Sequence, residues 1–342
     1  MKDHRFRLAK LAALPLCLMV SAAPASETAD VEKTDLVGKT YPAHDSLSDV
    51  DDPSADALEC LRGHLWKAEK FEVEIEAAKD QPGDLLVRFP SPIETGDAVN
   101  DRVAMEWYLA RDENLKPIKA PAVIVVHESG KRMTVGRTFA VGLRSMGLHT
   151  LLIQLPNYGH RRSKDKREDL DHLIIRMRQG IADVRRARDA VAVLPLVDAE
   201  NISLQGTSLG GFVAANAAAI DNAYCGVFLM LAGGDLYGLI SNGEKAAAEV
   251  REDLKKLGIV GEALRAILWP VEPTRIAHRL VPERTWLYSG TKDTVVPMKN
   301  AKALAKAAKL EESHHICFTA DHYSGVVFFP MVLSHIRKQI TP

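Results

Sequence analysis

The six residues Gly206-Thr207-Ser208-Leu209-Gly210-Gly211 constrain this chain more than any other feature. Before them, Ile202-Ser203-Leu204-Gln205 alternates apolar and polar as a short strand does, and after them Phe212 to Ile220 is a run of small, helix-forming side chains. A serine flanked by glycines therefore stands on a strand-to-helix turn. The tip of such a turn needs a strained backbone, and glycines two positions either side let neighbouring chain pass without a Cβ clash. This is the form of a nucleophile elbow. Helix entry directly after Ser208 also leaves backbone N–H groups free to face an anion.

The rest of the chain has the substance to hold such a turn in place, since 342 residues of 46% hydrophobic content can bury a large core. The first 25 residues read as a secretory signal peptide. Lys2, Arg5, Arg7 and Lys10 form a basic start, Leu11 to Val20 is a short apolar run, and Ala23-Pro24-Ala25 offers small residues for cleavage. The apolar run is too short to span a bilayer, and Leu16 before Cys17 argues against a lipoprotein site, where a small residue is expected. An exported protein, periplasmic or extracellular and without a stable membrane span after signal removal, is the expectation. Removal of residues 1–25 leaves 40 basic and 44 acidic residues, a formal charge of −4, and no nucleic-acid partner is expected. Cys60, Cys225 and Cys317 then remain, with no C-x-x-C pair, so neither a metal cluster nor a disulfide scaffold is expected, one bridge involving Cys60 being left open. Cys225 and Cys317 fall in expected core strands, as small buried hydrophobes.

Residues 26–58 are acidic and poor in large apolar side chains, and read as a flexible leader. Asp49-Val50-Asp51-Asp52 lacks the glycine and terminal glutamate of a calcium loop. From Phe71 three antiparallel strands are expected: Phe71, Val73 and Ile75 alternate with Glu72, Glu74 and Glu76, and Leu85–Phe89 and Val103–Ala110 follow after turns. Ala122–Val126 is an unbroken apolar run, as in a parallel strand buried on both faces. Strands at 151–155, 202–205, 227–231, 285–288 and 315–319 then alternate with helices near 134–146, 168–194, 209–220, 298–309 and 324–338. This predicts an α/β fold with a mostly parallel central sheet flanked by helices, preceded by an antiparallel meander, all within residues 59–342. Residues 233–282 interrupt the alternation with helix-like segments and read as a helical cap insertion, or as a lengthened surface connection.

A serine hydroxyl is a poor nucleophile at neutral pH and needs a base, and the base needs a group that fixes its tautomer. Among 12 histidines, position selects His322, in a turn-like break after the last expected strand and so at the same sheet edge as Ser208. His314 and His315 start that strand, on the wrong edge, and His335 lies within the last helix. Asp293, after the preceding strand, is the expected carboxylate. Asp235 is the reserve, and Asp321 is disfavoured because an immediate neighbour seldom folds back onto the adjacent ring. An oxyanion hole needs two N–H donors. Leu209 supplies one, and the other is expected from Ser129 in His127-Glu128-Ser129-Gly130, after the buried strand. The side chains of His127 and Glu128 are adjacent to this site, with packing and solvation as their plainer readings.

Taken together, Ser208, Asp293 and His322, each after a successive expected strand, resemble the α/β-hydrolase superfamily over roughly residues 120–340. Within it, the strand ending in His-Glu-x-Gly and the Asp-Thr-Val-Val-Pro segment resemble the dienelactone hydrolase-like and prolyl oligopeptidase-like branches. Two residues depart from those patterns: dienelactone hydrolases use cysteine as nucleophile, and Glu128 stands where many esterases have glycine. A carboxylate there disfavours an oxyanion unless it points away, so Glu128 is expected to restrain the resting serine or orient substrate. The upstream segment is too short for a β-propeller. The resemblance implies a serine hydrolase acting on carboxylic esters of small molecules through an acyl-enzyme, with no cofactor or metal, and the signal-like segment at 1–25 adds the expectation of export. A small peptidase or amidase using the same residues, or a noncatalytic binding protein on this fold, are the alternatives. The basic run Arg161, Arg162, Lys164, Lys166 and Arg167 reads as a solvated face or a pocket rim, and Tyr237 and Trp269 as cap packing or acyl-pocket lining.

Overall fold

The computed structural model describes residues 35–47, 50–79, 81–162 and 170–341; the expected signal segment at 1–25 and the basic residues from Lys164 to Arg167 lie outside these. Strands β1 (Thr40–His44), β2 (Lys70–Ala77), β3 (Leu85–Pro90) and β4 (Arg102–Tyr108) pair antiparallel in that order. β4 then pairs antiparallel with β6 (His149–Gln154). From there the sheet is parallel, in the order β6, β5 (Ala120–Val126), β7 (Val197–Thr207), β8 (Val227–Met230), β9 (Thr285–Gly290) and β10 (His315–Phe318). On β2, Phe71, Val73 and Ile75 are buried while Glu72 and Glu74 are exposed, the alternation of a strand covered on one face. β5 is buried at every position except Pro121, because helices cover both its faces.

Those helices divide the apolar side chains into two cores. On one face, α2 (Thr134–Arg144) and α9 (Phe329–Ile340) bring Phe139, Leu143, Phe329 and Ile336 onto Val123, Val125 and Tyr288. On the other, α3 (Leu170–Ala192), α4 (Leu209–Asp221) and α8 (Met298–Ala307) pack Val184, Ala214 and Leu304 onto Ile124, Val126 and Leu229. The chain leaves β5 for β6 on one side and returns through α3 to β7 on the other. The loops after β5 and β7 therefore diverge and open a crevice at the carboxyl ends of these strands.

Three expectations are corrected. The acidic segment read as a flexible leader is, from Thr40, part of the fold: β1 is an edge strand, and α1 (Ala55–Arg62) follows with Ser54 as its N-cap. Its acids are held by arginines distant in sequence. Asp45 and Arg186 are fully buried together at 2.6 Å, and Asp56 lies 2.7 Å from Arg275. Burial works against charge on Asp52, yet bonds from Arg279, the Ser54 N–H and His278 outweigh it and hold that carboxyl down at about 2. Second, the helix expected over 324–338 starts only at Phe329, after a 3-10 turn at Ser324–Phe328. Pro330 lacks an N–H and fits only the first turn, which fixes that start. Third, Cys225 and Cys317 are exposed, Cys225 preceding β8 and Cys317 lying on β10 at the sheet edge; Cys60 is buried, and all three are free.

Between β8 and β9, residues 233–282 hold α5 (Leu236–Asn242), α6 (Ala246–Lys256), α7 (Gly261–Leu268) and short 3-10 turns. Leu236, Leu254, Leu264 and Ile267 join the core on the α4 side. Among the described residues no helix is long and apolar enough to cross a membrane.

Candidate active site

β7 ends at Thr207 and α4 begins at Leu209, which leaves Ser208 alone at φ 53° and ψ −117°. A residue with a Cβ rarely adopts positive φ, and does so where its surroundings over-determine it. Here the Ser208 N–H donates to the Met230 carbonyl at 2.8 Å, and the Ser208 carbonyl accepts from Gly211 and Phe212. The glycines allow the packing. A Cβ on Gly206 would lie 2.3 Å from the Gly210 carbonyl oxygen, and one on Gly210 would lie 2.2 Å from that of Val126 and 2.6 Å from that of His127. Gly210 thus lets the start of α4 press against the loop that follows β5.

Across the crevice, Ser208 Oγ lies 3.1 Å from His322 Nε2, and His322 Nδ1 lies 2.7 Å from Asp293 Oδ2. A carboxylate only accepts, so Nδ1 carries the proton and the Nε2 lone pair faces the serine hydroxyl. Asp293 is buried, and its other oxygen accepts from the Val295 and Val296 N–H groups at 2.8 and 2.9 Å, which fixes the carboxylate plane. The loops after β7, β9 and β10 thus bring together the three residues selected from the sequence. The other candidates lie elsewhere. Asp235 caps α5 through the Gly238 N–H, and Asp321 turns into its own exposed loop, where bonds from Ser324 and Tyr323 hold its carboxyl down at about 2. His314 meets the Thr285 carbonyl, and His335 meets the Tyr288 hydroxyl.

The loop after β5 holds Ser129 exposed, and among the described residues neither its N–H nor that of Leu209 finds a protein acceptor. Glu128 is held by the helix that follows it. Its carboxylate accepts from the Val135 and Gly136 N–H groups at 3.1 and 3.0 Å, capping the N-terminus of α2, where a negative charge is favoured. Its two carboxylate oxygens are thereby engaged by the backbone of α2. His127 is fully buried, with Nδ1 2.6 Å from the Glu128 carbonyl and Nε2 accepting from the Leu155 N–H at 3.1 Å. Burial holds this imidazole down at about 4, so it is neutral near pH 7.

Sequence reasoning missed Tyr158, whose ring packs 4.4 Å from the His127 ring and whose hydroxyl donates to the Ser129 carbonyl at 3.0 Å. The run Pro156-Asn157-Tyr158-Gly159 at a strand end was a signal for a turn at the crevice, but the direction of the ring was not legible in it. Arg161, expected on a rim or a solvated face, is instead fully buried, 2.8 Å from Asp183. Tyr237 and Trp269 each lie under an arginine, Arg265 and Arg275 respectively, and Trp269 is 44% exposed.

No protein-family model and no curated protein matches the chain. Its structure is similar to that of an acetyl xylan esterase from Paenibacillus sp. R4, with a TM-score of 0.61 and 15% identity over 91% of this chain and 99% of that one. Acetyl xylan esterase 1 from Thermoanaerobacterium sp. JW/SL YS485 gives a TM-score of 0.60 and 13% identity, covering 91% and 98%. A puromycin-hydrolyzing peptidase of Mycobacterium tuberculosis gives 0.54 and 16%, covering 79% of this chain and 46% of that one. With its strand order, its positive-φ serine at the switch in that order and these neighbours, the chain has the α/β-hydrolase fold.

Proposed function

We propose that this protein is an exported serine hydrolase that cleaves small carboxylic esters. The observation that carries the reading is the hydrogen-bonded series Ser208 Oγ, His322 Nε2, His322 Nδ1 and Asp293 Oδ2, at 3.1 and 2.7 Å. Ser208 Oγ attacks the acyl carbon while its proton passes to His322 Nε2, and the carbonyl oxygen takes the negative charge. The N–H groups of Ser129 and Leu209 stabilise that charge. The tetrahedral species then collapses: the bond to the leaving oxygen breaks, and His322 delivers its proton to the departing alcohol. Water repeats the sequence on the acyl-enzyme, releasing the acid and restoring Ser208. Asp293 keeps the His322 proton on Nδ1 throughout and stabilises the imidazolium. Export rests on the basic start, short apolar run and small residues of positions 1–25.

Both parts are tested on protein recovered from the periplasm or medium of expressing cells, where an N-terminus at Ser26 is expected. Turnover of p-nitrophenyl esters from acetate to palmitate is then compared with that of a Ser208→Ala variant, in which the rate should fall by about 10⁴-fold or more. Full activity in the variant removes the serine mechanism. No ester turnover, beside cleavage of aminoacyl amides, moves the reading to a peptidase. Failure of a fluorophosphonate to label Ser208 leaves a binding protein.

A further inference from the structure

The geometry points to His127 as the positioning residue of the oxyanion site, locking the peptide whose N–H receives the negative charge; this rests on the serine hydrolase reading above. The Leu155 N–H can only donate, so His127 Nε2 is the acceptor and the ring proton sits on Nδ1. Nδ1–H therefore donates to the Glu128 carbonyl, at 2.6 Å. That carbonyl and the Ser129 N–H are the two ends of one peptide unit. No peptide bond among the described residues is cis, and in a trans peptide C=O and N–H point in opposite directions. Drawing the oxygen onto a fully buried ring turns the Ser129 N–H away from the core, on the side where Ser129 is exposed.

Two further contacts keep the ring itself from moving. The Leu155 N–H, at the end of β6, anchors Nε2, and the Tyr158 ring packs against the imidazole. Through its hydroxyl, Tyr158 also holds the next carbonyl of the loop, that of Ser129. The 128–129 and 129–130 peptides are thus tied, one to His127 and one to Tyr158. Donors fixed before the reaction need no reorganisation as charge develops, which is why such positioning acts on kcat.

The test compares His127→Asn with His127→Phe on p-nitrophenyl acetate, with Ser208→Ala in parallel. Asparagine places its amide nitrogen close to the position of Nδ1 and keeps the bond to the Glu128 carbonyl, but leaves a cavity. Phenylalanine fills the space and donates nothing. Loss of an oxyanion donor costs about 10²–10³ in kcat, so the Phe variant should lose about ten- to a hundredfold in kcat with KM within about twofold. The Asn variant should stay within about threefold of the parent although its Tm is the lower of the two, an order that a purely structural role would reverse. Equal kcat in both variants, or activity that follows Tm, overturns the assignment. Full activity in Ser208→Ala instead overturns the hydrolase reading beneath it. If the Phe variant does not fold, Tyr158→Phe keeps the ring contact and removes only the hydroxyl. A kcat about three- to tenfold lower at unchanged Tm is then expected, and an unchanged kcat counts against the clamp.

Discussion

His127 and Glu128 are consecutive, yet their side chains serve different neighbours: the imidazole meets the loop's own backbone, and the carboxylate meets the first turn of α2. A carboxylate beside an oxyanion site would oppose the reaction, but one spent on helix N–H groups is already compensated. Glu128→Gln keeps the backbone carbonyl and one acceptor oxygen. Its kcat and KM should remain within about twofold of the parent, with stability lowered by about 1 kcal/mol in urea unfolding. A changed pH profile of kcat would instead return the side chain to the reaction. That Ser208, His322 and Asp293 meet was legible in the sequence, because each follows a strand at the same edge of the sheet. The directions of Glu128 and Tyr158 were not, since each is set by an element that the local sequence does not contain.

Elements with a strong internal pattern were equally legible: the apolar run of β5, the alternation of β2 and the small-residue helix α4. The acidic segment before α1 was not, because its order comes from partners far along the chain. Asp45 accepts from Arg186 at 2.6 Å and from the Trp66 indole at 2.8 Å, and Ser46 donates to Asp189 at 2.6 Å. α3 thus holds the edge of the sheet through charged residues as well as apolar ones. Removing one member of a buried pair leaves its partner uncompensated, which costs more than the pair itself contributes. Asp45→Ala should therefore lose about 3 kcal/mol in urea unfolding, whereas an exposed pair such as Lys256 and Asp253 contributes little. A loss below about 0.5 kcal/mol would mean that the segment is peripheral after all.

For the molecule as a whole, buried neutral imidazoles set the response to acid. Burial holds His64 down at about 3 and His127 and His149 at about 4, against about 6.5 when exposed. Between these values the unfolded chain binds protons that the native chain does not. Stability is thus fully present above pH 6.5 and falls as the pH drops toward 4, by up to about 1.4 kcal/mol per histidine per pH unit. The urea midpoint should decline steeply from pH 6.5 to 4.5, and a flat midpoint would contradict the burial of these rings. The same contrast separates what the sequence by itself determined from what only the tertiary structure decided. Periodicity and the Gly-x-Ser-x-Gly turn determined the α/β layers, the strand-to-helix elbow and the edge at which Ser208, Asp293 and His322 would stand, because backbone geometry within a few residues imposes them. The tertiary structure decided the burial of Asp45 and Arg161, the exposure of Cys225 and Cys317 and the locking of the 128–129 peptide. These depend on which distant surfaces meet, and a charge or ring is stabilised only by the partner that packing brings to it.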